Sequence, residues 1–592
     1  MQVCKKGRTG DGIWLLWPIC VAGDAKNADL RRQSPGPTTA EPRTCDGRAP
    51  DLRQIMASMA SFVQKYGYFC IMYRVFRIFA LAVTLSAASA GVASAQNAVA
   101  AQDAAWQQSI TQYIDSQISN GPLKGAVVGV CAMDIAGQSG NDGNGAGNDK
   151  GKAVLAYNAS TRMLPASNMK LVTTGAALRA FGPEYRFTTG IGYTGTIDKD
   201  GTLNGDVYII GGGDPTIGAA DTTAYKADAL FWKWKTILSG AGIKRIHGNI
   251  IGDGSAWEGG LENPGWEFAD TWTYYGTGSS ALCFYENTID LQVSAGAEPG
   301  APVNMTQTYP ETPWLKIENK AETGPAGTGN SLYLQTSGTS TNATLTGTYA
   351  IDRKPKREQA ANKYGALTCA HEFWKNLKAT GWEVTGTYGT PDQVGGDGRG
   401  TVGGDGRGTA GGDGVTVIGH TQSPTLAQIC RKTNWDSDNF YAESIFRAMG
   451  EAATGIAVYD SCLVAINEVL EDIVPGAGKG IIQKDGSGLS RSNSVTPEWM
   501  AAYLAAMGGN KAFVESLPHP GEGTLNTLKG LSPVKFRIKS GSMGGTLCYS
   551  GYVLDQDGNP RISFAIFTGN ADARASQVRP ALEGLIQLIG KN

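Results

Sequence analysis

The stretch PASNMKLVTT, residues 165–174, places Ser167 three residues before Lys170 at the start of a helical pattern. Residues three apart lie on one face of a helix, so the Lys170 amine can reach the Ser167 hydroxyl. A serine at this position is most often an N-cap. It can also be a nucleophile, because a neighbouring base activates it and the helix N-terminus offers free N–H groups to an anion. The stretch alone leaves both interpretations open.

A second element, TNWDSDNFYAESIFR, carries Ser437, Asp438 and Asn439 at the start of another predicted helix. All three residue types are good N-caps, which is the structural interpretation. In the catalytic interpretation, the Ser437 hydroxyl relays a proton and the Asn439 amide donates a hydrogen bond to the substrate. This element is also ambiguous when it is taken alone.

A third element, RIKSGSMGG, carries Lys539, Ser540 and Gly541 on a predicted strand. Glycine weakens a strand and often marks the close approach of another backbone or a ligand. Lys539 would place positive charge beside a substrate carboxylate, or it would be a lysine on an exposed edge strand. In order and in local context, the three elements match the set S-x-x-K, S-D-N and K-T-G of class A β-lactamases and penicillin-binding proteins. The joint match favours Ser167 as a nucleophile.

The chain resembles the D-alanyl-D-alanine carboxypeptidase/endopeptidases of the class C penicillin-binding proteins, peptidase family S13. The segments LPASNMKLVTTGAAL, GDVYIIGGGDPT, DGSGLSRSNSVTP, ESLPHPGEGTL and KSGSMGG look like signatures of that family, and the resemblance covers nearly all of residues 105–590. The resemblance implies an α+β fold. In that fold a β-lactamase/DD-peptidase-like domain, an antiparallel sheet flanked by helices, carries large β-rich insertions. Ser540 stands where the family usually has threonine, and the retained hydroxyl predicts retained activity.

The resemblance also implies serine acyl transfer. Lys170, neutral in the free enzyme, takes the Ser167 proton, and Lys539 helps to lower the Lys170 pKa because like charges disfavour protonation. Ser437 relays a proton to the leaving amine, and the backbone N–H groups of Ser167 and Ser542 form the oxyanion hole. The expected substrates are D-Ala-D-Ala or cross-link bonds of peptidoglycan stem peptides. β-Lactams would acylate the same serine.

Two groups of residues are expected to bind the substrate. The third element would hold the terminal carboxylate through Lys539, Ser540, Gly541 and Ser542. From the resemblance alone, Asp270 would bind the amine of a diaminopimelate side chain, and Arg491 and Met543 would line the same subsite. The alternatives are a turn carboxylate for Asp270 and a structural ion pair for Arg491.

Other functions remain open. A β-lactamase or esterase on the same scaffold would share Ser167 and Lys170, although the long segment between the first two motifs favours a peptidase. A non-catalytic wall-binding or penicillin-sensing protein would have no need of nucleophile, base and relay together. No cofactor or metal is predicted, since the histidines are scattered and the cysteines remaining after residue 96 form no C-x-x-C pair. The formal charge of −2 gives no electrostatic reason to expect nucleic acid binding.

The N-terminal region predicts export. Residues 72–95 contain a basic start, a short apolar run and Ala93-Ser94-Ala95, an A-x-A-like cleavage site. We interpret them as a signal peptide that starts at Met72 and is cleaved after Ala95, with an uncleaved membrane anchor as the alternative. Residues 1–71 are interpreted as an over-extended gene start without ordered structure. These interpretations predict a periplasmic or otherwise exported enzyme with no stable membrane span.

The change between helical and strand-like residue patterns divides the remaining sequence. Residues 96–190 and 420–592 are predicted to be the two parts of a transpeptidase-like domain, and residues 191–419 are predicted to be inserted β-rich domains. Helices are predicted within the insertion and after it, at 224–240, 357–379, 425–433, 438–453 and 459–472. The glycine-rich tract 395–414 is either a calcium-binding repeat or a surface insertion, and the absence of a repeated apolar position favours the insertion. Six cysteines follow the signal peptide, and their pairing cannot be read from the sequence.

Overall fold

The computed structural model describes residues 102–135, 151–394 and 414–591, all of which belong to one compact unit. The predicted gene-start extension, the signal peptide and residues 395–413 of the glycine-rich tract lie outside the described residues. Within the described ranges, no single helix is long and apolar enough to cross a membrane. One sharply bent pair, Asn439–Thr454 with Tyr459–Ile473, passes that test by length and composition only.

A five-stranded antiparallel sheet joins the two ends of the described chain. Its strands are β1 (Val127–Asp134), β2 (Lys152–Tyr157), β22 (Phe536–Met543), β23 (Thr546–Leu554) and β24 (Pro560–Gly569). They lie in the order β2-β1-β24-β23-β22. Alternate side chains of a strand point to opposite faces. Along β1, Cys131 and Met133 therefore enter one hydrophobic core, whereas Val130 and Ala132 enter another. Both faces of this sheet are buried.

Helices cover the sheet on both sides. One face packs against α1 (102–120) and α11 (Ala575–Ile589), whose apolar residues share a core with Val130. The other face packs against a larger group of helices: α2 (Met169–Phe181), α6 (Leu426–Trp435), α7 (Asn439–Thr454), α8 (Tyr459–Ile473), α9 (Pro497–Met507) and α10 (Lys511–Ser516). Thr496 caps α9 by accepting a hydrogen bond from the Trp499 N–H at 3.1 Å, with Pro497 in the first turn.

The residues between α2 and α6 form further sheets with their own hydrophobic cores. The helices here are α3 (Ala227–Gly240), α4 (Gly365–Ala379) and α5 (Pro391–Val394). The strands are β3 (Thr188–Tyr193), β4 (Thr196–Ile197), β5 (Thr202–Asn204), β6 (Val207–Ile210), β7 (Arg245–His247), β8 (Ile250–Asp253), β9 (Thr288–Ser294), β10 (Asn304–Tyr309), β11 (Lys316–Asn319), β12 (Glu322–Gly324), β13 (Tyr333–Ser337), β14 (Ser340–Thr346), β15 (Thr348–Ala350), β16 (Lys356–Ala361), β17 (Glu383–Val384), β18 (Tyr388–Gly389) and β19 (Thr416–Gln422). The first and last of these strands, β3 and β19, pair antiparallel. The chain therefore enters and leaves this segment at neighbouring positions. A short pair, β20 (Ile481–Ile482) with β21 (Ser494–Val495), lies nearer the C-terminus.

The structure corrects one helix prediction. The predicted helix 357–379 begins only at Gly365, because Lys356–Ala361 is a strand that pairs with β9 along its whole length. The segment KREQAA has helix-forming residues, but its pairing partner decides its conformation. Helices α6, α7 and α8 lie within about two residues of their predicted ranges. The six cysteines of the described chain are all buried and unpaired: Cys131, Cys283, Cys369, Cys430, Cys462 and Cys548.

Candidate active site

Ser167 lies in a single 3-10 turn, Ala166–Asn168, that leads directly into α2. The buried residue before it, Ala166, has φ of 46°, a left-handed conformation that non-glycine residues seldom adopt. Neither the turn nor α2 has a side-chain cap, so Ser167 does not cap the helix. Its Oγ instead accepts a hydrogen bond from the Lys170 Nζ at 3.0 Å. The hydroxyl therefore faces the one base that the sequence pattern assigns to it.

Lys170 is fully buried, and its Nζ lies against three acceptors. Besides Ser167, these are the Asn439 Oδ1 at 2.6 Å and the Ser487 carbonyl at 2.8 Å. An ammonium can donate to all three. A neutral amine has two N–H donors and one lone pair, so it can keep Asn439 and Ser487 and turn its lone pair towards the Ser167 hydroxyl. The arrangement is therefore compatible with both protonation states of the base.

Burial is the main cause that lowers the pKa of Lys170, to about 8. The carboxylates of Asp438, Asp485 and Glu443 act in the opposite direction and raise it. The direction agrees with the expectation of a lowered Lys170 pKa, but burial causes the lowering, whereas the expectation assigned it to Lys539. A pKa of about 8, well below that of a free lysine, brings the neutral amine within reach near neutral pH.

A second serine–lysine pair is formed by Ser437 and Lys539. The buried Lys539 Nζ donates to the Ser437 Oγ at 2.8 Å and to the Ser540 carbonyl at 2.6 Å. The pKa of Lys539 is lowered well below its usual value by burial and then by the positive charge of Lys170. Ser437 itself has φ of 59°, a left-handed conformation held immediately before α7. Lys539 is therefore not the exposed edge lysine of the alternative interpretation.

The other two residues of the second element take structural partners. Asp438 caps α7, accepting from the Tyr441 N–H at 3.0 Å. The Asn439 Nδ2 donates to the Tyr275 carbonyl at 2.8 Å, while its Oδ1 accepts from Lys170. The sequence interpretation assigns the Asn439 amide to the substrate, but in the structure it links the buried lysine to the loop that carries Tyr275.

Gly541 lets strand β22 approach the turn that carries Ser167. A Cβ on Gly541 would lie 2.8 Å from the Pro165 carbonyl oxygen and 3.1 Å from the Asn168 backbone nitrogen. The first separation is shorter than real Cβ atoms show, and the second is tighter than most Cβ contacts, so an added Cβ would require the backbone to move. The expectation that this glycine marks a close backbone approach is therefore confirmed.

The predicted residues surround a cleft of about 670 Å³. Those lining it are Ser167, Ser437, Asn439, Asp270, Arg491, Ser542 and Met543. The others lie at or behind its wall, where Lys170 and Lys539 are buried and the Ser540 Oγ donates to the Thr524 Oγ1 at 2.8 Å.

In the cleft lining, Asp270 accepts a hydrogen bond from the Tyr275 hydroxyl at 3.3 Å. Burial is the largest cause that raises the pKa of this carboxyl. Arg491 pairs with Glu267, so the ion-pair alternative for Arg491 holds, although its side chain also lines the cleft. The cleft lining therefore presents a carboxyl group and a guanidinium near each other.

Sequence analysis missed the buried carboxylates behind the cleft. Glu443 accepts from the N–H groups of Gly486 and Ser487, at 3.2 and 2.7 Å, and burial followed by Asp485 raises the pKa of Glu443 to about 8. Glu443 lies four residues after Asn439 on α7, a spacing that places both on one helix face. That spacing was the available signal. Within the described ranges, no group of histidine, cysteine, aspartate and glutamate is arranged to hold a metal ion.

The fold and these two serine–lysine pairs define a class of protein: a serine acyl-transfer enzyme with a lysine base. A model of the D-Ala-D-Ala carboxypeptidase 3 (S13) family matches residues 110–587. The chain belongs to this family, and it is a serine peptidase. The family and the enzyme class predicted from the sequence are confirmed.

Individual relatives agree with the family assignment. The D-alanyl-D-alanine carboxypeptidase of Actinomadura sp. (strain R39) is 27% identical over 504 residues, covering 82% of this chain and 84% of the relative. The D-alanyl-D-alanine carboxypeptidase DacB of Haemophilus influenzae is 25% identical over 448 residues, covering 72% of this chain and 86% of the relative.

A solved structure carries the same fold. The crystal structure of penicillin binding protein 4 (dacB) from Haemophilus influenzae superposes with a TM-score of 0.65 at 22% identity, over 82% of this chain and 99% of that one. The same protein complexed with a β-lactam gives a TM-score of 0.59 at 21% identity, over 81% of this chain and 98% of that one. The α+β fold class predicted from the sequence is confirmed.

Proposed function

We propose that this chain is an exported D-Ala-D-Ala peptidase that cleaves peptidoglycan stem peptides and cross-links through an acyl-enzyme on Ser167. The observation that carries the proposal is the 3.0 Å contact between the Ser167 Oγ and the buried Lys170 Nζ, beside a cleft that also exposes Ser437. Export rests on the signal-peptide pattern of residues 72–95. The D-Ala-D-Ala specificity rests on the family and on the names of its relatives.

Acylation begins with neutral Lys170. Its lone pair takes the Ser167 proton while Asn439 and Ser487 hold its N–H groups in place. The Ser167 Oγ attacks the carbonyl carbon of the scissile bond. The negative charge that forms on the carbonyl oxygen is stabilised by the backbone N–H groups of Ser167 and Ser542. The partial positive charge at the start of α2 acts in the same direction.

The leaving group then needs a proton on its nitrogen. Ser437 lies 2.8 Å from the Lys539 Nζ, so its hydroxyl can give a proton to the amine and be resupplied through that contact. After the amine departs, Lys170 releases the Ser167 proton to solvent and Lys539 regains a proton from solvent, so both lysines return to their starting states. Neutral Lys170 then removes a proton from a water molecule as that water attacks the ester, and it passes this proton to the Ser167 Oγ as the shortened peptide is released.

Two groups of residues in the cleft would select the substrate. Lys539, Ser540 and Ser542 lie on β22, where their N–H and hydroxyl donors would hold a terminal carboxylate. Asp270 would bind a side-chain amine, with Arg491 and Met543 lining the same subsite. The pairing of Asp270 with an amine matches opposite charges in a partly buried position, where such pairs are stronger than in water.

β-Lactams would acylate Ser167 in the same way and leave slowly. The test is incubation of the purified protein with a labelled penicillin, followed by peptide mapping and by cleavage assays on a peptide ending in D-Ala-D-Ala. We expect the label on Ser167, and we expect Ser167→Ala to lose both label and cleavage. Ser116→Ala removes an exposed serine of α1 and is the matched control, which should keep both.

Label on another residue, or cleavage retained by Ser167→Ala, would overturn the proposal. Rapid release of hydrolysed penicillin would instead identify a β-lactamase on this scaffold. The cleavage assay on purified wall fragments then separates carboxypeptidase from endopeptidase activity, since both use the same serine.

A further inference from the structure

The segment DGSGLSR, residues 485–491, begins with a carboxylate that has no exposed surface. Each oxygen of Asp485 accepts two hydrogen bonds. Oδ1 accepts from the Gly488 N–H at 2.9 Å and the Asn493 amide at 2.8 Å. Oδ2 accepts from the Ser490 N–H at 2.6 Å and the Trp266 indole at 2.9 Å. Four donors fill the acceptor capacity of a carboxylate, which is what a buried charge requires.

One of these bonds leads to the catalytic base. The Gly488 N–H and the Ser487 carbonyl belong to the same peptide group. Its N–H donates to Asp485, and its carbonyl oxygen accepts from the Lys170 Nζ at 2.8 Å. The loop also packs closely against the turn that carries Ser167. A Cβ on Gly488, where φ is +86°, would lie 2.0 Å from the Ala166 carbonyl oxygen, so only glycine fits there. Asp485 therefore fixes the peptide that holds Lys170.

The other oxygen leads to the proposed side-chain subsite. Ser490, which donates to Oδ2, directly precedes Arg491 in the chain. Trp266 lies four residues before Asp270. Two of the three residues of the proposed side-chain subsite, Asp270 and Arg491, are therefore attached to segments that Asp485 holds.

We propose that Asp485 is a positioning residue that sets the catalytic lysine and the side-chain subsite from one buried carboxylate. The proposal deepens the proposed function and rests on it. Asp485 touches neither substrate nor nucleophile; it acts through the Ser487–Gly488 peptide on one side and through Trp266 and Ser490 on the other. One side chain thus aligns the acylating machinery with the group that recognises the substrate.

A positioning role predicts a change in pH dependence that simple loss of structure does not. The titratable groups that face Lys170 are Asp438, which caps α7, Glu443 of α7, Asp485 of the loop and Lys539 of β22. The negative charge of Asp485 favours protonated Lys170 and so raises its pKa. Neutralising Asp485 lowers that pKa, and the rising limb of acylation with pH moves to lower pH.

The experiment measures acylation by a labelled penicillin across pH 5–10 for the full chain and for Asp485→Asn. We expect the midpoint of the rising limb to move down by about one pH unit. The matched control is Asp214→Asn, which neutralises a buried carboxyl that accepts from the Thr216 N–H and hydroxyl, outside the cleft lining. The control should leave the midpoint unchanged.

A second pair of variants is needed to control for Glu443, because Glu443 can ionise once Asp485 is neutral and so replace the lost negative charge. The comparison is therefore repeated between Glu443→Gln and the double variant with Asp485→Asn. The proposal is overturned if Asp485→Asn leaves the pH midpoint unchanged both in the wild-type protein and in Glu443→Gln. It is also overturned if Asp214→Asn shifts the midpoint by the same amount as Asp485→Asn. Wild-type protein without label on Ser167 would reject the proposed function instead, so the two failures are distinguishable.

Trp266→Phe tests the role of Asp485 at the side-chain subsite. It can also be measured if Asp485→Asn does not fold. It removes a single donor from Oδ2 and leaves the contacts of Lys170 in place. We expect KM to rise several-fold for a peptide with a side-chain amine, relative to the same peptide with that amine acetylated, while the pH midpoint stays unchanged. An unchanged KM ratio overturns the role of Asp485 at the subsite.

Discussion

Replacing Gly541 by alanine should separate the nucleophile from the strand that faces it. The added Cβ would lie 2.8 Å from the Pro165 carbonyl oxygen and 3.1 Å from the Asn168 backbone nitrogen. Both neighbours are backbone atoms at the two ends of the turn that holds Ser167. They cannot rotate away as a side chain can, so either the turn or β22 must move.

The size of the movement follows from the contact distances. Carbon and oxygen atoms rest at about 3.5 Å, so the Cβ must retreat by roughly 0.5–0.7 Å. A catalytic group misplaced by about 1 Å can lose around a hundredfold in rate, so a tenfold to hundredfold loss is expected here. Overpacking of this kind also costs about 1–3 kcal/mol of unfolding free energy.

The assay is the second-order rate of acylation by a labelled penicillin, together with thermal unfolding. The matched control is Gly544→Ala on the same segment, where the nearest atoms to the new Cβ are the Arg491 guanidinium nitrogens at 3.9 Å. We expect the control to acylate within about twofold of wild type. If Gly541→Ala does so as well, the close approach of β22 does not position Ser167, and the reasoning is refuted.

Three further outcomes are expected. Acylation should rise with pH and level off above a midpoint near the Lys170 pKa of about 8, because only the neutral amine accepts the Ser167 proton; a flat profile between pH 6 and 9 would contradict this. Ser437→Ala should lower kcat for peptide cleavage by about a hundredfold or more with little change in KM, because it removes the proton relay. Unaltered kcat in steady-state assays would exclude that role. Asp270→Asn should raise KM for a peptide with a side-chain amine and spare the acetylated peptide, and equal effects on both would show that Asp270 is only a turn carboxylate.

Much of the site was readable from the sequence because its chemistry is carried by short motifs on regular elements. Lys170 follows Ser167 by three residues on a helix, so the contact between them is a local consequence of helix geometry. The meeting of Lys539 with Ser437 is not local. It could be inferred only because three weak patterns occur together and in order.

The failures of sequence reasoning have physical causes as well. The lowered pKa of Lys170 comes from burial opposed by three carboxylates, and neither can be counted before the fold is known. The Tyr275 carbonyl that accepts from the Asn439 amide lies on a distant loop, so this partner could not be read from the motif. The strand Lys356–Ala361 was read as helix because its partner β9 is far away in the chain. In each case a long-range neighbour outweighed the local pattern.

The sheet that unites both ends of the described chain has a consequence for the order of synthesis. The nucleophile and its base are made early, whereas the strand that supplies Lys539 is followed by only two more strands and a helix. Strand β1 also waits for β24 before both its edges are paired. A partly made chain therefore carries Ser167 and Lys170 without the facing half of their cleft. A chain truncated before β22 would therefore lack hydrolase activity, because it would carry the nucleophile and its base without the substrate subsites.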